Sequence, residues 1–481
     1  MRNTFLQTIV TTVMAAAVGV SLNAQQARPA RAPSVQPFIR VDAPVVALTH
    51  VRVIDGTGAA PQDDQTVLLA DGKIKSIGAT ASTATPADAQ ILDLHGFTVI
   101  PGLVGMHEHM FYPSGGVPIY NEMGFSFPRL YLAGGVTTIR TAGSIEPYTD
   151  LEIKHLIDSG AMVGPEMRVT GPYLEGVGSF TPQMHTLSGP DDARRTVDYW
   201  ADEGVTSFKA YMNITHAELA AAVEAAHKRG LKVTGHLCSI GFREAASIGI
   251  DNLEHGLLVD TEFNPGKKPD VCDSKPTDET LAALDLESEP VKAMIRDLVE
   301  RHVAITSTLP VFETFVPNRP PVDARVLDVL LPEARISYLT TRARIGTGAK
   351  SLYGVLLRKE MEFERAFVKA GGLLIAGEDP TGYGGVVAGF GDQRGVELLV
   401  EAGFTPVEAL RIYSANGAQF LGESDRIGSI EPGKAANLVV IHGDPATNIS
   451  DIEKVDLVFK DGIGFDSAKL IESVRDSVGL H

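Results

Sequence analysis

Hydrophobic positions along the chain follow two patterns, short β-type runs and helical stretches with one apolar face. Eight largely apolar runs predict buried strands at residues 103–107, 136–141, 167–170, 206–211, 232–236, 252–255, 304–309 and 373–377. Helical patterns lie between many of them, most clearly at 217–229 and 359–369. Strands that are apolar on both faces and separated by helices predict an α/β fold, a parallel sheet closed into a (β/α)8 TIM barrel over residues 101–422.

A doubly wound open sheet is the alternative architecture. That fold carries a glycine-rich phosphate turn after its first strand, and this chain has none there. The pattern therefore favours the barrel. The polar stretch 260–289 after the sixth strand is predicted to be a long loop that covers the site.

A smaller β-rich unit flanks the predicted barrel. Short strands are predicted at 45–53, 66–69, 73–77 and 91–94, and matching strands return at 437–441 and 455–460. We therefore expect a small β-sandwich domain built from both chain ends, residues 45–100 and 423–481, with a linker at 25–44.

The first 24 residues have the pattern of a signal peptide. Arg2 provides the positive charge, residues 9–20 form a short apolar run, and Ala24 ends a plausible cleavage site. An uncleaved anchor is the alternative, although the run is short for a membrane span. We expect an exported bacterial protein, periplasmic or secreted, with no membrane contact after cleavage.

Charge and cysteine content narrow the picture only slightly. A formal net charge of −18 argues against nucleic acid as a partner. The two cysteines, Cys238 and Cys272, could pair in an oxidising compartment, but a free buried thiol at Cys238 is the more common arrangement. The fold cannot depend on one disulfide.

Polar residues at the ends of apolar strands are the main functional signal. Strand alternation directs His107 and His109 to one side and Glu108 to the other. Two imidazoles on one side suit a metal ion, although such a pair alone also occurs as ordinary polar residues near a loop.

Lys209 lies inside the fourth predicted strand, where burial disfavours its ammonium form. It could extend toward solvent or pair with a carboxylate. It could also react as a free amine with CO2 to give a carbamate that bridges two metals.

His236, His255 and Asp379 fall at the ends of strands five, six and eight. In barrels, polar residues at the carboxyl ends of strands are typical of an active site. Asp379 alone, before a proline, would indicate only a turn. Six such residues on five strand ends indicate one shared site.

These residues, with the motif VIPGLVGMHEH at 99–109 and GSIEPGKAANLVV at 428–440, resemble the amidohydrolase superfamily. The likeness is to its imidazolonepropionase-like branch, which includes metal-dependent Xaa-Pro dipeptidases (prolidases) and ochratoxinase-type amidases. It extends over nearly all of the chain after the signal peptide.

The resemblance implies two divalent metals, with zinc as the default and manganese or iron as alternatives. His107, His109 and Asp379 would hold the buried metal, His236 and His255 the outer one, and carboxylated Lys209 would bridge them. A shared water activated by both metals would attack the scissile carbonyl, and Asp379 would pass its proton to the leaving amine. Relatives often form closed oligomers, so a homo-oligomer is expected.

Three further residues are candidates for substrate binding. Arg140, at the end of strand two, could hold a substrate carboxylate or form a structural ion pair below the site. Tyr211, two residues after Lys209, could face the pocket or pack in the core. His185, in the loop after strand three, could stabilise an oxyanion or lie on the surface.

The relatives' substrates suggest a small molecule, either an Xaa-Pro-type dipeptide or an N-acyl amino acid cut at its amide bond. Hydrolysis of a lactone or a cyclic amide is the alternative. A barrel that binds ligand without catalysis is a third possibility, which the completeness of the ligand set opposes.

Overall fold

The computed structural model describes residues 31–113, 119–348 and 351–479. The predicted signal peptide lies outside the described residues. Within them, no helix is both long and apolar enough to cross a membrane.

The N-terminal segment consists of short strands that join one sheet. These are β1 (Ile39–Val41), β2 (Val45–Val53), β3 (Gln62–Ala70), β4 (Lys73–Ala79), β5 (Gln90–Asp93) and β6 (Phe97–Pro101). A 3-10 turn, Gln36–Phe38, precedes β1.

The central segment alternates strands and helices. Its strands are β7 (Leu103–Glu108), β8 (Phe111–Pro113), β9 (Tyr120–Glu122), β10 (Val136–Thr141), β11 (Glu166–Arg168), β12 (Thr170–Leu174), β13 (Ser207–Ala210), β14 (Lys232–Gly235), β15 (Asn252–Glu254), β16 (Ala304–Ser307) and β17 (Leu374–Ala376). Its helices are α1 (Phe127–Ala133), α2 (Pro147–Asp158), α3 (Pro190–Glu203), α4 (His216–Lys228), α5 (Phe242–Ile248), α6 (Thr277–Ala283), α7 (Glu289–Glu300), α8 (Leu309–Glu313), α9 (Ala324–Val329), α10 (Pro332–Gly346), α11 (Tyr353–Lys369), α12 (Phe390–Glu401), α13 (Pro406–Arg411) and α14 (Gly417–Leu421). The chain then returns to the first sheet through β18 (Leu438–His442), β19 (Val455–Lys460), β20 (Ile463–Asp466) and α15 (Ser467–Glu472).

Both chain ends build the flanking sheet. Its nine strands run in the order β1-β20-β19-β18-β6-β2-β3-β4, with β5 also paired to β2. The ends meet at β6 and β18, which are antiparallel with Leu438 opposite Pro101. Part of the predicted linker belongs to this sheet, because β1 pairs with β20 and Val41 is buried. The linker boundary at 44 is therefore too late.

The parallel strands of the central segment follow barrel order. β7, β10 and β11 form one ladder, and β12 to β17 form another, with the third barrel strand interrupted at Val169. The last strand comes up against the first, where the Asp379 N–H donates to the His107 carbonyl at 3.0 Å. Glycine at 377 permits this approach, since a Cβ there would lie 2.3 Å from the His107 nitrogen. The predicted α/β fold is confirmed, with parallel strands in barrel order and a β domain built from both chain ends. No strand ladder joins β17 to β7 among the described residues, and the strands expected as a β-sandwich are hydrogen-bonded as one nine-stranded sheet.

Helix α4 shows how the sequence sets local structure. Its N-cap Thr215 accepts from the Glu218 N–H, and the Glu218 carboxylate accepts from the Thr215 N–H, which forms a capping box. Leu219, Ala222 and Ala226 recur at helical spacing on its buried face. The helix thereby covers the barrel beside β13 and β14.

The stretch after the sixth barrel strand differs from its prediction. It contains α6, and Cys272 within it forms a disulfide with Cys238, with 4.9 Å between the two Cα atoms. The expected free thiol at Cys238 is therefore wrong. The stretch is also held by Lys267 Nζ, which donates to the Cys238 and Ser239 carbonyls. No residue of 260–289 lines the cavity over the candidate site in the described part of the chain, so the predicted cover is not formed by this stretch.

Candidate metal centre

Six predicted ligand residues converge at the carboxyl ends of the barrel strands. His107 and His109 come from the end of β7, and Lys209 comes from β13. His236 and His255 follow β14 and β15, and Asp379 follows β17. His255 and Asp379 have φ values of 68° and 54°, a left-handed conformation that non-glycine residues adopt mainly where the surroundings impose it, often at functional sites.

The donor atoms lie close together and are buried. One atom from each of His107, His109 and Asp379 lies within 4.8 Å of the other two. Asp379 Oδ1 is 3.8 Å from His107 Nε2 and 3.6 Å from His109 Nε2, and Asp379 Oδ2 is 3.7 Å from His255 Nδ1. Asp379 Oδ1 and His255 Nε2 have no hydrogen-bond partner among the described residues. These inward-facing donors without partners fit a metal ion.

Neighbouring acceptors set the protonation of two imidazoles. His107 Nδ1 lies 2.8 Å from Glu254 Oε2, and His109 Nδ1 lies 3.1 Å from the Gly143 carbonyl. Each Nδ1–H donates to its acceptor, which leaves the Nε2 lone pair directed at the site. Burial holds the pKa of both histidines well below the usual value, so they are neutral donors.

The outer pair of histidines is arranged similarly. Burial lowers the pKa of His236 to about 3 and that of His255 well below its usual value. His255 Nδ1 lies 2.9 Å from Thr308 Oγ1. The two rings are 4.4 Å apart, so both imidazoles face the same space.

Lys209 is buried in the middle of the ligand set. Its Nζ lies 3.2 Å from His107 Nε2, and no carboxylate of the described chain lies within 4.0 Å of it. Burial lowers its pKa to about 8, against the opposing charges of Glu254 and Asp379. The sequence alternatives of extension toward solvent or a carboxylate pair are therefore not what the structure shows.

Arg140 supports the site from below and does not line it. Its Nε donates to the Met106 carbonyl at 2.8 Å, and its Nη2 donates to Glu254 Oε1 at 2.7 Å. Its side chain is 1% exposed. Its remaining donor, Nη1, goes to Asn252 Oδ1 at 3.2 Å. The structure thus shows the alternative of an ion pair below the site, and Glu254 in turn orients His107.

Glu254 is the residue that the sequence analysis missed. Burial alone would raise its pKa, but the charges of Arg140 and Lys209 outweigh burial and hold the pKa below the usual value. Its carboxylate therefore stays ionised between Arg140 and His107. The sequence could have identified Glu254, because it directly precedes His255 on a predicted strand. A buried acid at such a position requires a partner.

Of the two remaining candidates, only Tyr211 lines the pocket. Its ring is 4.9 Å from His236, and it borders the cavity of about 50 Å³ above the ligand residues. His185 is half exposed and lies 3.4 Å from Asp192, beside a separate cavity of about 420 Å³. The structure thus places His185 outside the cavity above the ligand residues, as the surface alternative describes, while its neighbour Met184 borders both cavities.

Glu108 points away from the ligands, as alternation predicts. It meets Glu378 and Asp392 in a second buried cluster, whose carboxylate atoms lie within 4.8 Å of one another. Burial raises the pKa of all three acids, to about 7 for Asp392.

The chain matches a known protein family over most of its length. Residues 98–463, most of the chain, match the model of the Amidohydrolase family. The enamidase of Eubacterium barkeri is 39% identical over 79 residues, which is 16% of this chain and 20% of the enamidase. This match therefore spans about a fifth of that relative.

Two solved structures share the fold. A bottromycin amidohydrolase superposes with a TM-score of 0.70 at 21% identity, covering 94% of this chain and 95% of that one. A Xaa-Pro dipeptidase with bound methionine in its active site gives a TM-score of 0.65 at 20% identity, covering 88% of this chain and all of that one. At these identities the likeness establishes the fold alone.

Proposed function

The chain belongs to the amidohydrolase family, and from this premise we propose that it is a binuclear metal-dependent hydrolase that cleaves an amide bond. The family match confirms the superfamily that the sequence resembles, and with it the predicted enzyme class, a hydrolase of carbon–nitrogen bonds. The number of metals, the substrate and the cellular location are the proposed parts.

The observation that carries the proposal is the convergence of neutral imidazoles, one lysine and one carboxylate in a buried space. His107, His109 and Asp379 are the residues for one metal, and His236 and His255 for the other. Lys209 lies beside His107, where its carboxylated form would connect the two. Imidazole and carboxylate donors suit zinc. When bound, such metals activate water and polarise a carbonyl oxygen.

The residues of the chain itself supply orientation and proton transfer. Arg140 and Glu254 fix the ring of His107. Burial raises the pKa of Asp379 to about 6. A carboxylate at the reacting centre can take up a proton and return it to a leaving group. We propose that the carboxylate of Asp379 carries this proton to the leaving amine.

We propose that the substrate is an Xaa-Pro-type dipeptide or an N-acyl amino acid. The names of the structurally similar dipeptidase and amidohydrolase support an amide or peptide bond. A lactone or a cyclic amide is the second candidate, because water activated by the same metal ligands could attack a cyclic ester or amide carbonyl as well. A binding protein without activity would not need the buried Asp379 carboxylate alongside five metal donors.

We also propose that the protein is exported and acts outside the cytoplasm. The apolar run at residues 9–20 supports this location. The disulfide between Cys238 and Cys272 supports it independently, because disulfides persist in oxidising compartments.

A cleavage panel tests the proposal. The purified chain, supplied with zinc and bicarbonate, is assayed for release of amino acids from Xaa-Pro dipeptides and N-acyl amino acids, with lactones and cyclic amides in parallel. Cleavage of a dipeptide or an N-acyl amino acid that chelator abolishes and zinc restores is the expected result. Cleavage of lactones alone would replace the substrate class, and chelator-resistant cleavage would contradict the metal-dependent mechanism.

A further inference from the structure

Five aromatic side chains surround the entrance to the metal centre. Phe111, Tyr120, Phe180, Tyr211 and Tyr173 all border the cavity above the ligand residues, and we refer to them as the aromatic collar. They come from β8, β9, β12, the residue after β13 and the loop after β12.

The rings of the collar contact one another in sequence. Ring centroids are 5.0 Å apart between Phe111 and Tyr120, 6.4 Å between Tyr120 and Phe180, and 6.0 Å between Phe180 and Tyr211. Tyr211 and Tyr173 are 4.9 Å apart. The ligand His109 closes the circle, at 4.3 Å from Phe111 and 6.3 Å from Tyr173. The collar is therefore continuous with the metal centre.

The collar has aromatic walls and few charges. The charged side chains that border this cavity among the described residues are Lys209 and Asp379, which belong to the proposed metal-ligand set. The guanidinium of Arg140 is hydrogen-bonded to the Met106 carbonyl and to Glu254 and does not border the cavity. The walls therefore offer no guanidinium to a free carboxylate of the substrate.

The cavity is also narrow. Its volume is about 50 Å³, and Phe111, Tyr173 and Tyr211 are buried while Phe180 is 42% exposed at the outer edge. A flat ring fits between such walls better than a saturated ring with the same number of carbons, and it gains edge-to-face contacts with each neighbour. The size of the cavity and the aromatic character of its walls thus both favour an aromatic ring in the substrate.

We propose that the aromatic collar selects substrates with an uncharged aromatic ring next to the scissile amide, and that a free carboxylate adds little to recognition. The inference rests on the proposed amide hydrolysis and narrows its substrates. A cationic group is disfavoured although aromatic faces attract cations, because the two divalent metals that the site would hold carry positive charge.

The tyrosine hydroxyls supply the polar contacts of the collar. Tyr120, Tyr173 and Tyr211 each carry a phenol, which is protonated at neutral pH. Each can donate a hydrogen bond to a neutral carbonyl of the substrate. An aromatic amide satisfies both the walls and these donors.

Matched pairs of compounds test the proposal by binding. Calorimetry on the zinc-loaded chain compares benzamide with cyclohexanecarboxamide, which differ in the planarity of one ring. We expect benzamide to bind at least about fivefold more tightly, the order of magnitude of aromatic ring contacts. Phe180→Leu should bring this ratio below about twofold. Phe125→Leu, at a ring that is 57% exposed outside the collar, is the control and should preserve the ratio.

Turnover gives the second measurement. The kcat/KM for N-benzoylglycine should also be at least about fivefold higher than that for N-cyclohexanecarbonylglycine. The rate of benzoate release from N-benzoylglycinamide should be within about threefold of the rate from N-benzoylglycine, because no guanidinium borders the cavity to bind the carboxylate. Equal binding of the two carboxamides, or equal loss of the ratio in both variants, would overturn the collar's role. Preferential binding of benzamide without cleavage of either acylglycine would support the collar and refute the proposed substrates instead.

Discussion

Consecutive residues at the ends of β7 and β17 face two different buried environments. His107, His109 and Asp379 face the barrel mouth, while Glu108 and Glu378 face outward and meet Asp392 of α12. Both groups are almost fully buried, so burial does not distinguish them. The mouth has neutral imidazoles whose protons are held by Glu254 and Gly143. The outward group has only acids, whose pKa values burial raises.

This difference shows how one strand can carry two kinds of polar chemistry. At the mouth, lone pairs remain available because the ring protons of His107, His109 and His255 have other acceptors. In the outward cluster, three acids without a basic partner are best accommodated by keeping their protons, since an isolated buried carboxylate is costly. We therefore expect substitutions on the two faces to have very different consequences.

The adjacent residues Asp379 and Glu378 should give the largest contrast. Asp379→Asn removes the proposed proton carrier, so kcat should fall by roughly 10²- to 10⁴-fold. Glu378→Gln replaces one neutral group by another and should change kcat little. Steady-state kinetics with elemental analysis of both variants makes the comparison. An Asp379→Asn enzyme that holds its metals and keeps its kcat would contradict the assignment.

Glu254→Gln should have the next largest effect. An amide cannot carry the charge that orients the Nδ1–H of His107, and loss of such a supporting partner typically weakens metal binding about 10- to 100-fold. Competition with a zinc-binding dye measures the change in affinity. Glu108→Gln is the control on the opposite face, and equal weakening in the two variants would remove the distinction between the faces.

The buried cluster of Glu108, Glu378 and Asp392 should make the stability of the protein depend on pH. The folded chain holds the proton of Asp392 up to a pKa of about 7, whereas the ordinary value is 3.8. The folded state thus binds more protons than the unfolded state between these values, so this group lowers the free energy of unfolding as the pH rises through that window. Asp392→Asn removes the contribution.

Urea unfolding at pH 5 and at pH 8 measures this effect. The stability of Asp392→Asn relative to the native chain should be higher at pH 8 than at pH 5. An unchanged difference between the two pH values would mean that the cluster does not hold its protons in the folded state.

The smallest effect is expected for His185→Ala. The side chain lies beside Asp192 outside the metal cavity, so kcat/KM should change by less than about twofold, as for other exposed substitutions. Tyr211→Phe is the useful comparison within the cavity. A loss of kcat in His185→Ala larger than that in Tyr211→Phe would restore the oxyanion role for the loop histidine.

The sequence was most informative where residues follow the period of a strand. Alternation predicts that His107 and His109 share one side and Glu108 the other, and the apolar runs predict the barrel strands to within a few residues. Arg140 shows the limit, because a position at a strand end does not tell whether a long side chain extends to the mouth or beneath it. The position of Glu254 opposite Arg140 decides that.

The hydrophobic pattern of the sequence does not predict features that depend on the conformation of loops. Phe111, Tyr120 and Phe180 of the aromatic collar share no sequence period, and their convergence depends on the path of three separate segments. The disulfide between Cys238 and Cys272 likewise requires a Cα separation that sequence spacing does not give.

Metal content of the purified, mature chain tests the central claim most directly. Elemental analysis after reconstitution with zinc and bicarbonate should give about two metal ions per chain, and a Lys209→Met variant should hold fewer. Glu378→Gln should hold the same number as the native chain. A native chain that takes up no metal would contradict the binuclear site, and a Lys209→Met variant that holds two metals as well as the native chain would contradict the bridging role of Lys209.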